Sequence, residues 1–496
     1  MDFTMYNQAK NLTKNTAAFI VALVLQKIIS FTYFSYLATR LGAENLGKYF
    51  FALSFSAIFH VLADLGLINI LIRDSAKDQN NSQKLLSYNL AIKIPLSIFV
   101  YLSLILISFA LGYSTELKSM IALSGIIMVF DSFTLTFYGV FRGFHNLRFE
   151  SLGTIIFQAI VVIFGLNILR YTTEPFYIIF AILAASLFNF FYTLSLVKYK
   201  LKLKLKPLYH KLNIISLLKT TIPFALAGIF TKIYAYIDTV FLSLFSTQKD
   251  IGYYSIPYKM VFSLQFIPMA FVAALYPLFS YFYKKDRAQL TKYFEQSVFL
   301  LLLIIVPITI GTLLLGDQLI IKVYGTEYIP SILSLQILML GLVFVFLNFP
   351  VTYLLNACYR QRKVTINIGI VMLINIILNI ILIKFLALSF IGASLASSIS
   401  SVILLIINFF LIINLIKLHT KILLLKVLKI LISGLAMAIF IIYFKIKINF
   451  ILVIIAAAAI YCLFILLTRT VTKNDIITIT KLILKKSDAK SSLDNQ

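Results

Sequence analysis

Charge is what this sequence has little of. Only 12% of its 496 residues are Asp, Glu, Lys or Arg, whereas soluble domains carry about 25%, and 61% are hydrophobic, with a mean hydropathy of +0.98. A soluble enzyme is excluded on that ground. Tryptophan is absent, so an aromatic belt at a membrane–water boundary has to be built from tyrosine, of which there are 28. The two cysteines, Cys358 and Cys462, lie in or beside apolar segments and leave neither a disulfide framework nor a paired-cysteine metal site. Four scattered histidines add no metal signature, and no acid, base or histidine cluster suggests a catalytic centre.

What is there instead is hydrocarbon in long blocks. Many apolar stretches run to twenty residues or more, enough to cross roughly 30 Å of bilayer as helix. Breaking the chain at charges, glycine, proline and polar clusters gives fourteen spans: 15–40, 45–72, 86–112, 118–141, 149–170, 175–197, 215–246, 252–283, 293–315, 330–356, 364–385, 389–416, 424–444 and 449–468. The first contains Lys27 and is too long and wrongly flanked for a cleaved signal peptide, so it reads as a permanent span.

The net charge of +26 would suggest nucleic acid in a soluble chain. With the N-terminus in the cytoplasm, however, 31 of the 44 Lys and Arg fall in inner segments and nine in outer ones. That is the positive-inside bias of a multi-pass protein, with both termini cytoplasmic, rather than a nucleic-acid site. The densest basic run begins at Lys198, KYKLKLKLKPLYHK. It reads most simply as a cytoplasmic linker, though it could also hold anionic lipid heads. The outer connections are short, which argues against membrane glycosyltransferases, ligases and polymerases and favours a transporter.

The chain also repeats. At an offset of 205 residues, YLATRLGAENLGKYF (36–50) aligns with FLSLFSTQKDIGYYS (241–255), placing Gly47 on Gly252 and Tyr49 on Tyr254. Six spans per repeat is an even number, so the two halves share one orientation and are related by an axis along the membrane normal. The fold class expected is therefore an all-α polytopic membrane protein of about fourteen helices. Its parts are an N-lobe at 1–200, a basic linker at 201–214, a C-lobe at 215–417, two extra spans within 418–468 and a cytoplasmic tail at 469–496. The tail's alternation of isoleucine and leucine with lysine suggests a helix lying on the inner leaflet.

Charges inside the spans are the candidates for function. Lys27 stands thirteen residues from both Lys14 and Arg40, roughly 20 Å from either end of its helix and beyond the snorkelling reach of a lysine. Lys232 is thirteen residues from Lys219, and subtracting the repeat offset places it on Lys27. A lysine at mid-membrane costs about 2.5–3.5 kcal/mol unless it faces water or a counter-ion. Two readings stay open: a cationic cavity for an anionic group, or pairing of each lysine with an Asp from a neighbouring helix. Asp64, Asp131 and Asp238 are the acids in or near spans, candidate counter-ions or coupling sites for a proton or sodium gradient. Lys93 and Lys259 lie within about two turns of span ends and are expected to snorkel. His60 reads as a packing or lining residue. VYGTEYIPS (323–331) reads as a turn with tyrosines at interface depth, and GASLASSISS (392–401) as a surface for close helix packing.

The run RLGAENLGKYFFALSFSAIFHVLADLGLINILIRDSAK (40–77), then YGTEYIPS, LNACYRQRK and NIILNIILIKFLALSFIGASLASSIS in that order, resembles the Wzx-like polysaccharide flippases. These are O-antigen and capsule repeat-unit transporters of the multidrug/oligosaccharidyl-lipid/polysaccharide exporter superfamily. The resemblance spans nearly the whole chain. It implies fourteen helices in two lobes, alternating access, no enzymatic activity and no cofactor. The implied substrate is an undecaprenyl-diphosphate-linked oligosaccharide, moved from the inner to the outer leaflet of the bacterial cytoplasmic membrane, with membrane lipids, a polysaccharide polymerase and chain-length machinery as implied partners. Lys27 and Lys232 match the cavity cations of the family by position, and Arg40 less well because its repeat counterpart is Phe245. Competing readings are a lipid II flippase and a multidrug antiporter. Cationic drugs would disfavour a lysine-lined cavity, and the first span has no acid between Asn15 and Thr39 for proton coupling.

Overall fold

A computed structural model describes the backbone of residues 3–413 and 415–471, with side chains described for 21–210, 214–413 and 415–471. The amphipathic tail expected after residue 469 lies almost wholly outside the described residues. Among these, the structure is helical throughout, with no strand. Its helices are α1 (Phe3–Leu62), α2 (Leu67–Lys77), α3 (Ser82–Ala110), α4 (Thr115–Gly143), α5 (Arg148–Ile168), α6 (Pro175–Ser195), α7 (Lys211–Phe245) and α8 (Gln248–Leu264). They continue with α9 (Phe266–Lys285), α10 (Arg287–Tyr324), α11 (Ser331–Ala357), α12 (Gln361–Asn379), α13 (Ser389–Ile413), α14 (Thr420–Phe444) and α15 (Phe450–Leu467). Helices dominate because hydrocarbon offers the backbone no hydrogen-bond partner, so each segment must satisfy its own amides.

Thirteen continuous stretches among the described residues are long and apolar enough to cross a membrane. The first, Val21–Leu62, has 42 residues, or about 63 Å at 1.5 Å per residue, twice the hydrocarbon thickness. It is two spans joined at Gly42, whose φ of 71° and ψ of 170° are not helical, and the fourteen expected spans are recovered. A second break falls at residues 63–66, where Leu65 (φ 46°) and Gly66 (φ 74°) enter the left-handed region between α1 and α2. The span expected at 45–72 is therefore a broken helix. No room exists for a larger residue at Gly66, since a Cβ there would lie 2.7 Å from Cβ of Phe224.

The chain divides into two compact units. The first comprises Met1–Ile256 and Ile368–Ala393. Within it α4 packs against α1, α2, α3 and α6, α5 against α1 and α6, and α7 against α1 and α2. A buried cluster of Leu71, Leu86, Leu90, Phe137, Val140, Phe141 and Val197 holds one end together. The second unit comprises Pro257–Asn367 and Ser394–Gln496. There α10 packs against α9, α11, α14 and α15. A small-residue seam joins α11 to α13: Ser334 and Ser394 hydroxyls are 2.5 Å apart, Ser398 donates to the Ile337 carbonyl at 3.0 Å, and Asn348 donates to that of Ser401 at 3.0 Å. Lipid tails are as apolar as leucine, so such hydrogen bonds and close contacts, rather than burial of apolar area, hold these helices together. Tyr324 and Tyr328, expected at the interface, are packed inside this unit, 4% and 1% exposed.

Candidate functional site: a polar cavity in the first unit

Five helices of the first unit line a cavity of about 440 Å³. From α4 it receives Ser124, Ile127, Met128, Asp131, Thr134, Leu135 and Tyr138. Their spacing of three or four residues places them on one face of the helix, with a polar group at every seventh position. From α1 it receives Leu53, Ser56, Ala57 and His60, spaced in the same way, and Gln26. Glu150 and Thr154 come from α5, Asn189 from α6 and Lys232 from α7. Charged and amide side chains in an otherwise largely apolar cavity inside membrane-crossing helices mark a place for a hydrated or polar guest.

Lys232 lines the cavity half-buried, its Nζ 5.5 Å from the centre of the Tyr236 ring. Among the described residues no carboxylate lies within ion-pair distance of it. Lys27 follows Gln26 directly, does not itself line the cavity, and acts on Lys232 by charge repulsion. The two repeat-related lysines are therefore neighbours. His60 lies in the electrostatic field of both Lys232 and Lys93, and its buried Nε2 has no hydrogen-bond partner among the described residues. Arg40 stands elsewhere: exposed, it donates from Nε to the Tyr36 hydroxyl at 3.2 Å and lies 5.3 Å from the Tyr36 ring centre.

The three acids have partners of their own. Asp131, in the cavity wall, accepts a hydrogen bond from Ser186 Oγ at 2.7 Å. Asp238 is buried, accepting from the Tyr254 hydroxyl at 2.7 Å and from Asn379 Nδ2 at 2.8 Å. Asp64, at the helix break, pairs with Lys93 at 2.9 Å, and Lys93 also donates to Thr136 Oγ1 at 2.7 Å. The expectation that Lys93 snorkels is overturned, for its side chain is wholly buried. The reason is local: the break at 63–66 brings the Asp64 carboxylate to the lysine, and a buried charge with a partner is cheaper than a stretched side chain reaching for water.

Glu150 was not singled out from sequence, because it sits in a basic loop region, FRGFHNLRFE (141–150). In the structure it is buried, held in a two-pronged ion pair by Arg142, whose Nε donates at 2.8 Å. Beside it, the Tyr138 hydroxyl donates to Asn189 Oδ1 at 2.6 Å. The heptad of polar residues on α4, Ser124, Asp131 and Tyr138, was the legible signal for this wall. The arrangement offers a cation, carboxylates, amides and hydroxyls to one guest.

Comparison with known proteins agrees with this architecture. A relative from Haloferax volcanii, "Probable low-salt glycan biosynthesis flippase Agl15", is 21% identical over 397 residues, covering 79% of this chain and 81% of the relative. Among solved structures, one of a lipid II flippase, MurJ, in an inward closed conformation superposes with a TM-score of 0.73 at 20% identity, covering 92% of this chain and 99% of that one. An inward-facing multidrug resistance MATE family transporter of the MOP superfamily gives a TM-score of 0.64 at 13% identity, covering 78% and 93%. The MatE family matches residues 223–381. The family described as "Polysaccharide biosynthesis protein" matches residues 12–283, more than half of the sequence, and the chain belongs to it.

Proposed function

We propose that the protein is a flippase moving an undecaprenyl-diphosphate-linked oligosaccharide from the inner to the outer leaflet of a bacterial cytoplasmic membrane, for O-antigen or capsule synthesis. The observation that carries this reading is Lys232, a cation with no ion-pair partner among the described residues, in a cavity among membrane helices, with Lys27 in its field. Two neighbouring ammonium groups repel each other and are stabilised together by a guest bearing two negative charges. A diphosphate is such a guest. The carboxylates of Asp131 and Glu150 and the amides of Gln26 and Asn189 supply hydrogen-bond partners for sugar hydroxyls, while the polyprenyl chain stays in lipid. Belonging to a polysaccharide biosynthesis family and likeness to a relative named as a glycan flippase support the same cargo class.

On this reading the cavity opens first to the cytoplasm and then outward, and the charged headgroup never meets bare hydrocarbon. Direction comes from consumption of the product outside by a polymerase, or from a proton or sodium gradient acting at Asp131, Asp238 or Asp64. Both termini lie in the cytoplasm by the distribution of basic residues. A lipid II flippase is the second reading, favoured by the extent of the structural likeness, and it shares the diphosphate chemistry. Mass spectrometry of lipid-linked glycans from cells with and without the gene distinguishes them. Loss of the gene should accumulate a completed undecaprenyl-diphosphate oligosaccharide; accumulation of lipid II instead would transfer the assignment, and an unchanged lipid profile would overturn both.

A further inference from the structure

The basic run between α6 and α7 is not a slack tether. Leu201, Leu203 and Leu205 pack against the buried cluster that contains Leu71, Leu86 and Phe137, while Lys202, Lys204 and Lys206 are exposed. Two elements of α3 hold this alternation in place. The side-chain amide of Gln83 accepts from the Lys204 backbone N–H and donates to the Lys204 carbonyl, both at 2.7 Å, as a neighbouring strand would. Four residues on, the Leu208 N–H donates to the Ser87 carbonyl at 3.2 Å. Just before this stretch, a π-helical turn at Leu196–Lys200 exposes Lys198 and Lys200 as well.

Five lysines thus stand within nine residues on a backbone fixed to the helix bundle, and among the described residues none of them has an ion-pair partner. Such a row repels itself unless anions sit against it. Its surroundings indicate which anions. The segment joins the ends of two membrane-crossing helices, where lipid headgroups lie; it contains Tyr199, 71% exposed, and is followed by Leu208 and Tyr209, 41% and 69% exposed. Exposed tyrosine beside lysine is the pattern of a segment resting at headgroup depth. Because the backbone is already ordered, binding there costs little further conformational entropy.

We propose that Lys198, Lys200, Lys202, Lys204 and Lys206 form a fixed docking surface for the phosphate-bearing headgroups of anionic phospholipid in the leaflet on that side. The surface is separate from the cavity and independent of which glycan the cavity carries. It anchors the first unit to anionic lipid beside α3, α6 and α7.

The test uses the full chain purified in a neutral detergent, with native mass spectrometry of adducts formed with phosphatidylglycerol and with phosphatidylcholine of the same acyl chains. Wild type should retain phosphatidylglycerol in preference. Each lysine near an anionic surface is worth about fivefold, so K202Q/K204Q/K206Q should bind on the order of a hundredfold more weakly. The matching arginine triple should bind as wild type, as should K284Q/K285Q/K363Q, which removes equal charge elsewhere. Lys202, Lys204 and Lys206 are all exposed, and a monodisperse gel-filtration peak verifies folding. Equal retention of the two lipids, wild-type binding by the glutamine triple at 202, 204 and 206, or equal loss in K284Q/K285Q/K363Q would overturn the proposal. Displacement of the lipid by an equal concentration of inorganic phosphate would reassign the surface to free anions.

Discussion

Gly47 and Gly252 lie backbone against backbone. A methyl group added to Gly47 would stand 1.8 Å from the Gln248 carbonyl oxygen and 2.9 Å from the Gly252 nitrogen, and one added to Gly252 would stand 1.8 Å from the Ala43 carbonyl oxygen. These are the two glycines that the 205-residue offset places on one another in the sequence. Backbone atoms cannot yield as a flexible side chain does. Gly47→Ala and Gly252→Ala should each cost about 1–3 kcal/mol through forced separation of the helices. Thermal unfolding in detergent should show a clear drop in midpoint for each, whereas Gly112→Ala, with nothing within 4 Å of the added methyl, tests the left-handed backbone alone.

The Asp64–Lys93 pair allows a thermodynamic cycle. Removing one partner strands a buried charge, so Lys93→Leu or Asp64→Leu alone should destabilise by about 3–5 kcal/mol, while the double leucine variant should recover most of that loss. Thr136→Val removes the second acceptor of Lys93 and should cost about 1 kcal/mol. If both single variants unfold at the wild-type midpoint, the pair is not what stabilises the helix break.

How much of this was legible in sequence follows from what each feature depends on. The spans depend on local composition, and the fourteen read from sequence match the helices, including a first pair that the backbone fuses through Gly42. The neighbouring positions of Lys27 and Lys232 follow the repeat, which was also in the sequence. The partners of Lys93 and Glu150 were not. Asp64 lies 29 residues before Lys93 and reaches it only because Leu65 and Gly66 leave the helix, a backbone event that hydrophobicity does not report. Arg142 and Glu150 face each other across the turn between α4 and α5, where the surrounding basic residues read simply as an inner loop. Likewise Lys202, Lys204 and Lys206 read as a linker, since nothing local announces that Gln83 and Ser87 will fix them.

Arg142 should resist conservative replacement. Its guanidinium engages both oxygens of Glu150, a geometry that a lysine ammonium cannot reproduce. Arg142→Lys is expected to lower stability by about 1–2 kcal/mol and to reduce transport, with Arg142→Ala worse because Glu150 is left charged and buried at the cavity wall. Glu150→Gln with Arg142→Gln should recover folding but not transport if the carboxylate also serves the guest. Comparing folded yield with glycan export separates the two roles.

Lys27 and Lys232 provide the sharpest separation of function from structure. Lys232 lines the cavity, and a charge-assisted hydrogen bond contributes about 1.5–3 kcal/mol, so losing it together with the attraction of the Lys27 charge should weaken diphosphate binding by more than about tenfold. The same substitutions remove two ammonium groups from the membrane interior, which cost about 2.5–3.5 kcal/mol each on insertion scales. Lys27→Ala with Lys232→Ala should therefore leave folded protein at or above the wild-type amount while lipid-linked oligosaccharide accumulates as in the deletion. The arginine pair should retain part of the activity, because charge matters more here than shape. Reduced folded yield with normal transport per molecule would make the lysines structural, and near-normal glycan export by the double alanine variant would remove the diphosphate from this cavity.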